Sequence, residues 1–131
     1  MGLPLSPGAK LERYEIRSQL CRGGMGEVYL AQDTKLERSV ALKVLPANVA
    51  SDRQRMQRFI QEAKAASGLN HPNILTVYEI GQAGSTHFIA TEFIDGETLR
   101  QRLNMRYMNT AEGLDISAQI ASALAEHTPQ E

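Results

Sequence analysis

Cys21-Arg22-Gly23-Gly24-Met25-Gly26-Glu27-Val28-Tyr29-Leu30-Ala31, with Val40-Ala41-Leu42-Lys43-Val44-Leu45 a short way on, is the stretch whose reading decides the fold. Just before it, Tyr14, Ile16, Ser18 and Leu20 alternate with polar residues, the period of a half-buried strand. Gly23, Gly24 and Gly26 interrupt that run and Val28-Tyr29-Leu30-Ala31 resumes it, so the two segments read as a hairpin with a glycine-rich connection. A polar turn over Asp33–Arg38 leads into the apolar run at 40–45. That run is a third strand, ended by Pro46, which has no N–H to give a ladder.

Working outward, the period changes over residues 52–69. Met56, Phe59, Ile60, Ala63, Ala66 and Leu69 fall at helical spacing, with Asp52 near the start and Gly68 near the end. Asn70-His71-Pro72-Asn73 reads as a turn. Ile74–Ile80 and His87–Phe93 are two further β-rich runs, separated by a loop at Gly81–Ser85. Glu97–Met105 and Thr110–Glu126 then look helical. Residues 1–10 carry prolines and glycines without apolar periodicity and read as a disordered lead-in.

Composition excludes several classes. The 131 residues are 42% hydrophobic and 22% charged with a formal net charge of -1, which supports neither a nucleic-acid groove nor an anionic membrane surface. No apolar run reaches the ~18 residues of a membrane-spanning helix. Cys21 is the single cysteine, so no disulfide forms within the chain, and a reducing, cytoplasmic setting is expected. Gly2 and Ser6 fit a loose myristoylation pattern, but Pro4 and Pro7 favour a plain flexible leader.

Three features carry chemistry. A loop that lies on phosphates needs residues without Cβ so that backbone N–H groups can approach the anion, although a glycine hairpin can equally be an ordinary turn. Lys43 stands within an apolar strand, where an ammonium is costly without an anionic partner; a lysine snorkelling from an edge strand is the plainer alternative. Glu62 lies on the helix with Phe59, Ala63 and Ala66, where a solvated glutamate is the ordinary outcome.

Together the three change the reading. A glycine loop, then Val40-Ala41-Leu42-Lys43, then a helical glutamate resembles the first part of the protein kinase signature. Seventeen positions separate Gly26 from Lys43 and nineteen separate Lys43 from Glu62, spacings similar to that family's. Asn70-His71-Pro72-Asn73-Ile74-Leu75 and Thr91-Glu92-Phe93-Ile94-Asp95-Gly96 add a turn and hinge like those of bacterial-type serine/threonine kinases. The resemblance runs from Leu11 to Leu103. It implies an α+β fold: a kinase-like small lobe over residues 11–95, with a five-stranded antiparallel sheet and one packed helix. The first helices of an incomplete large lobe would follow over 96–126, and a tail over 127–131.

The resemblance also implies roles. Gly23, Gly24 and Gly26 would cover the phosphates of ATP, and Lys43 would contact its α- and β-phosphates while Glu62 fixes the ammonium as an ion pair. Val28 and Ala41 would sandwich the adenine, with Leu20 at the lip and Thr91 behind it. Backbone groups of Glu92 and Ile94 would supply hinge hydrogen bonds. The family's Mg ligands and catalytic base are another matter, because neither a His-Arg-Asp nor an Asp-Phe-Gly segment occurs in the sequence. His71, His87 and His127 read as turn, strand and tail residues, and no metal-binding or catalytic residue is assigned.

The chain is therefore expected to bind nucleotide without transferring phosphate by itself; the alternative is a pseudokinase-like regulatory or scaffolding module. A further reading has a second polypeptide complete the enzyme. Cys21 departs from the family by standing at the loop's first glycine. It would be strained if that site needs positive φ, and reads as a small packed residue or as a thiol at the pocket mouth. The terminal helix carries Leu114, Ile116, Ile120 and Leu124, an apolar face expected to seek cover by self-association or on a kinase partner.

Overall fold

The computed structural model describes residues 5–23, 26–105 and 108–127. Six strands form one antiparallel sheet: β1 (Lys10–Leu11), β2 (Tyr14–Gly23), β3 (Gly26–Asp33), β4 (Arg38–Val44), β5 (Val77–Ala83) and β6 (Thr86–Glu92), in the order β1-β2-β3-β4-β6-β5. The helices are α1 (Ala47–Ala50), α2 (Arg53–Ser67), α3 (Leu99–Met105) and α4 (Thr110–His127). The chain divides into two compact units, one of residues 1–68 and 76–93, the other of residues 69–75 and 94–131.

In the first unit, alternation along the strands sends one set of side chains into the core. Tyr14 and Ile16 of β2, Tyr29 and Ala31 of β3, Val40 and Leu42 of β4, and Phe88 and Ala90 of β6 are buried together. Tyr14 meets Phe88 edge to face, with ring centroids 5.6 Å apart and planes at 76°. The sheet curls enough to join strands that are not neighbours in it. The Tyr14 hydroxyl on β2 donates to the Glu79 carboxylate on β5, and Arg13 reaches the same carboxylate at 3.2 Å. Arg13 also lies 3.2 Å from Asp33, which is fully buried at the end of β3. Arg38 stacks on the Tyr78 ring, its guanidinium carbon 3.7 Å from the centroid.

The helix expected over 52–69 runs from Arg53 to Ser67. Asp52 caps it, its carboxylate accepting from the N–H groups of Gln54 (3.1 Å) and Arg55 (3.2 Å). α2 packs on β5 and buries Ala63.

Three expectations need correction. The sheet has six strands rather than five, because Lys10–Leu11 pairs with Tyr14 and Glu15. The lead-in expected to be disordered is bonded from Leu5 onward: the Leu5 N–H donates to the Tyr29 hydroxyl (2.9 Å), and Gly8 and Ala9 exchange backbone bonds with Ile16. The fourth long strand begins at Val77 and not at Ile74, and Gly81 lies inside it. The loop at 81–85 contracts to a turn at Gly84-Ser85, with Gly84 at φ +62.

In the second unit, Asn109 caps α4 by accepting the Glu112 N–H at 2.8 Å. Arg102 of α3 bonds to the Glu112 carboxylate and lies 3.7 Å from Glu97. α4 extends to His127, a residue expected in the tail. No helix among the described residues is long and apolar enough to cross a membrane.

Candidate functional site

The face of the sheet turned away from the core gathers most of the residues singled out by the sequence. Register places Val28 beside Lys43 and Lys43 beside Ile89; one row along, Leu30 lies beside Ala41 and Ala41 beside Thr91. Strand neighbours stand about 5 Å apart, so Val28, Ala41, Lys43 and Thr91 form one contiguous patch. All four are half-buried, whereas their in-strand neighbours Tyr29, Leu42 and Ala90 are buried in the core.

The glycine hairpin borders this patch. Gly23 pairs with Gly26, Arg22 with Glu27 and Cys21 with Val28; Gly24 lies outside the described residues. Gly26 is required by its own surroundings. Its φ is +121, and a Cβ there would stand 2.4 Å from the Val44 carbonyl oxygen. A shift of register between Gln19 and Cys21 leaves Leu20 unpaired, and its side chain is 45% exposed.

Cys21 is neither strained nor packed. It sits in β2 without a positive φ and its thiol is exposed, so the reading as a small packed residue is set aside. Thr91 donates its hydroxyl to the Glu92 carbonyl at 3.2 Å. Glu92 is bound to Thr76 twice: its N–H donates to the Thr76 carbonyl and its carboxylate accepts the Thr76 N–H, both at 2.9 Å. Ile94 belongs to the second unit and is exposed.

The expected ion pair is not formed. Among the described residues no ion pair or hydrogen bond joins Lys43 to Glu62, and Glu62 is exposed. The cause lies in how α2 is seated. The helix turns Ala63 inward and packs on β5, two strands from Lys43 in the sheet, so the neighbouring Glu62 carboxylate stays in water. An ion pair between groups this open to solvent contributes little, which leaves the arrangement at small cost.

Among the described residues the buried charge of this unit is Asp33, a residue expected in a polar turn. Burial pulls its carboxyl upward. The N–H groups of Leu36 (3.1 Å) and Lys35 (3.0 Å), together with Arg13, outweigh that effect and hold it below the usual carboxylate range. The available signal was an aspartate closing a strand two residues before a lysine, a turn-forming pattern. Among the described residues no group of three or more His, Cys, Asp or Glu could hold a metal ion.

A profile describing the protein kinase domain matches residues 14–127. The serine/threonine-protein kinase PrkC of Bacillus subtilis is 40% identical over 114 residues, covering 86% of this chain and 18% of that protein. The serine/threonine-protein kinase PknJ of Mycobacterium tuberculosis is 41% identical over 124 residues, covering 95% and 21%. Among solved structures, the PknI kinase domain of Mycobacterium tuberculosis superposes with a TM-score of 0.83 at 31% identity, covering 95% of this chain and 51% of that one. The chain thus spans about a fifth of the length of these curated relatives and about half of the solved kinase domain.

Proposed function

The chain belongs to the protein kinase domain family, and from that premise we propose that its sheet is the ATP-binding lobe of a serine/threonine kinase. The observation that carries the reading is the shared face of Val28, Ala41, Lys43 and Thr91 beside the glycine hairpin. Apolar Val28 and Ala41 suit the adenine ring, with Leu20 at the lip and Thr91 behind. The Glu92 carbonyl offers a hinge acceptor. The Lys43 ammonium has no ion-pair partner among the described residues, so it is available to a phosphate anion. The backbone of the hairpin at Gly23, Gly24 and Gly26 would cover the phosphates.

In the family, ATP brings the phosphoryl group and Mg neutralises its charge. The nucleotide fits the residues present here. The metal does not find its family ligands among them, and no step is assigned through it. Glu62 has a positioning role in this reading, exercised when α2 brings it toward Lys43. The finer conclusion is that these 131 residues bind nucleotide but transfer no phosphoryl group alone, since the segments that supply base and metal ligand do not occur in them. The exposed Cys21 thiol supports a reducing, cytoplasmic setting.

Thermal denaturation with and without Mg-ATP tests the proposal. A ligand at 100 times its Kd stabilises by about 2.7 kcal/mol. The wild-type chain is expected to gain stability with nucleotide, Lys43→Ala is expected to lose that gain, and neither is expected to incorporate radiolabelled phosphate. The same shift in both proteins, or none at millimolar nucleotide in the wild type, sinks the nucleotide site. Label incorporated by the wild type and not by Lys43→Ala sinks the claim of inactivity.

A further inference from the structure

We propose that Tyr29 is a positioning residue of the glycine hairpin: its hydroxyl joins the lead-in at Leu5 to the Glu27 carboxylate, and that carboxylate holds the outer half of β2 at Arg22. The two strands of the hairpin are held unequally. β3 pairs with β4 from Glu27 to Asp33 without a shift of register. β2 pairs with β3 across two shifts, one between Ile16 and Ser18 and one between Gln19 and Cys21. On its other side, β1 and the lead-in reach only as far as Ile16 among the described residues, and residues 17–22 are all exposed. The outer half of β2, which carries Leu20, Cys21 and Gly23, is therefore the more weakly held part of the hairpin.

A side chain on β3 reaches it. Glu27 accepts the Tyr29 hydroxyl at one carboxylate oxygen and presents the other to Arg22 Nε at 3.7 Å. The Arg22 side chain is 66% exposed, and an ion pair this open ordinarily contributes little, because two long side chains must be ordered to form it. Tyr29 lowers that cost. Its ring is fully buried, so the hydroxyl is a fixed point and the carboxylate bound to it is already in place when Arg22 arrives.

The hydroxyl is oriented in turn. A carboxylate only accepts and a backbone N–H only donates, so the phenolic proton goes to Glu27 and a lone pair of the oxygen takes the Leu5 N–H at 2.9 Å. Hydrogen bonds in such a chain polarise and strengthen one another. The lead-in is anchored on β2 ahead of the first shift: the Gly8 N–H donates to the Ile16 carbonyl and the Ile16 N–H to the Ala9 carbonyl, both at 2.8 Å. Residues 5–9 thus connect the firmly paired start of β2 to the side chain that steadies its outer half.

Urea unfolding of the whole chain tests this as a set of double-mutant cycles. The role serves the proposed nucleotide site, and the cycles are run without nucleotide, so their outcome is separate from whether ATP binds. Arg22→Ala and Glu27→Ala, alone and together, should reveal a coupling of about threefold in the unfolding equilibrium constant. The coupling should vanish when the cycle is repeated in Tyr29→Phe, which keeps the buried ring, and should shrink in Leu5→Pro, which removes the N–H. A ring that acted only by packing would leave the coupling unchanged. Nuclear magnetic resonance of the Arg22 Nε–H group gives a second reading in the folded proteins, and its order should fall in Tyr29→Phe and in Leu5→Pro. No coupling in the wild type, the same coupling in Tyr29→Phe or Leu5→Pro, or an Arg22 side chain equally ordered in all three proteins overturns the assignment.

Discussion

Replacing Gly26 by alanine should destabilise the chain with no nucleotide present, and its neighbours show by how much. Two costs add at this position. The first is conformational: φ is +121, a region closed to residues with a Cβ, and holding one there costs about 1–3 kcal/mol. The second is steric. The new methyl would stand 2.4 Å from the Val44 carbonyl oxygen and 3.2 Å from Pro46 Cδ, and the oxygen is backbone at the end of β4. Forcing it aside costs about 1–3 kcal/mol more. Two other glycines separate these terms. Gly84 has φ +62 with nothing within 4 Å of its would-be Cβ, so Gly84→Ala carries only the conformational cost, about 1–2 kcal/mol. Gly81 has no positive φ, but its Cβ would stand 2.4, 2.7 and 2.9 Å from atoms of the buried Phe88 ring, so Gly81→Ala carries only crowding, about 1–3 kcal/mol. Urea unfolding of the three variants should rank Gly26→Ala as the most destabilised. If Gly26→Ala unfolds at the wild-type urea concentration, or costs no more than Gly84→Ala, the geometry assigned to the glycine hairpin is wrong. The result also bears on function, because nucleotide affinity lost in Gly26→Ala cannot be credited to phosphate contact until this cost is subtracted.

Asp33→Ala takes a fully buried carboxylate from the Lys35 and Leu36 N–H groups and from the partly exposed Arg13 and Arg38, and should cost about 1–3 kcal/mol in urea unfolding. The folded Asp33 titrates below its unfolded value, so its stabilisation is present above the ordinary carboxylate range and disappears as pH falls through the lowered value. The fall in urea midpoint on acidification should accordingly be shallower in the variant; an unchanged acid profile refutes the assignment. On α4, Leu114 and Ile120 are 66% and 46% exposed, and burying two such side chains is worth about 3–6 kcal/mol. Sedimentation should show association that grows with concentration and weakens in Leu114→Asp, and a monomer throughout counts against the apolar face as a contact surface.

Most of the sheet was legible because period-2 alternation is a local signal that tertiary packing amplifies. Asp52 was placed at the start of its helix for the same reason, since a cap acts within three residues of itself. What failed was information held elsewhere in the chain. Gly81 looked like a strand breaker, but it is a strand residue lying under the Phe88 ring, and only that ring explains why no side chain is tolerated there. The lead-in has no period of its own. Its order comes from the Tyr29 hydroxyl and the backbone of Ile16, partners 24 and 7 or 8 residues away. α1, at four residues, is too short to carry a helical period.

The candidate site divides along the same line. For Val28, Ala41, Lys43 and Thr91, antiparallel register and alternation together dictate a common face, so recognising the strands was nearly enough to group the residues. For Glu62, the outcome depends on the rotation and seating of α2, and those are set by Ala63 against β5, which no local pattern encodes. Of the two readings of Lys43, an ammonium that needs an anionic partner or a lysine that reaches out to solvent, its half-exposure fits the second, and among the described residues the fully buried charge is Asp33, compensated by two N–H donors and Arg13. An ammonium that neither burial nor a neighbouring carboxylate has claimed, on a half-open apolar face beside a glycine hairpin, can meet an incoming phosphate without first breaking an ion pair. A pair with Glu62 would have oriented it better, and α2, seated on β5 through Ala63, does not supply one.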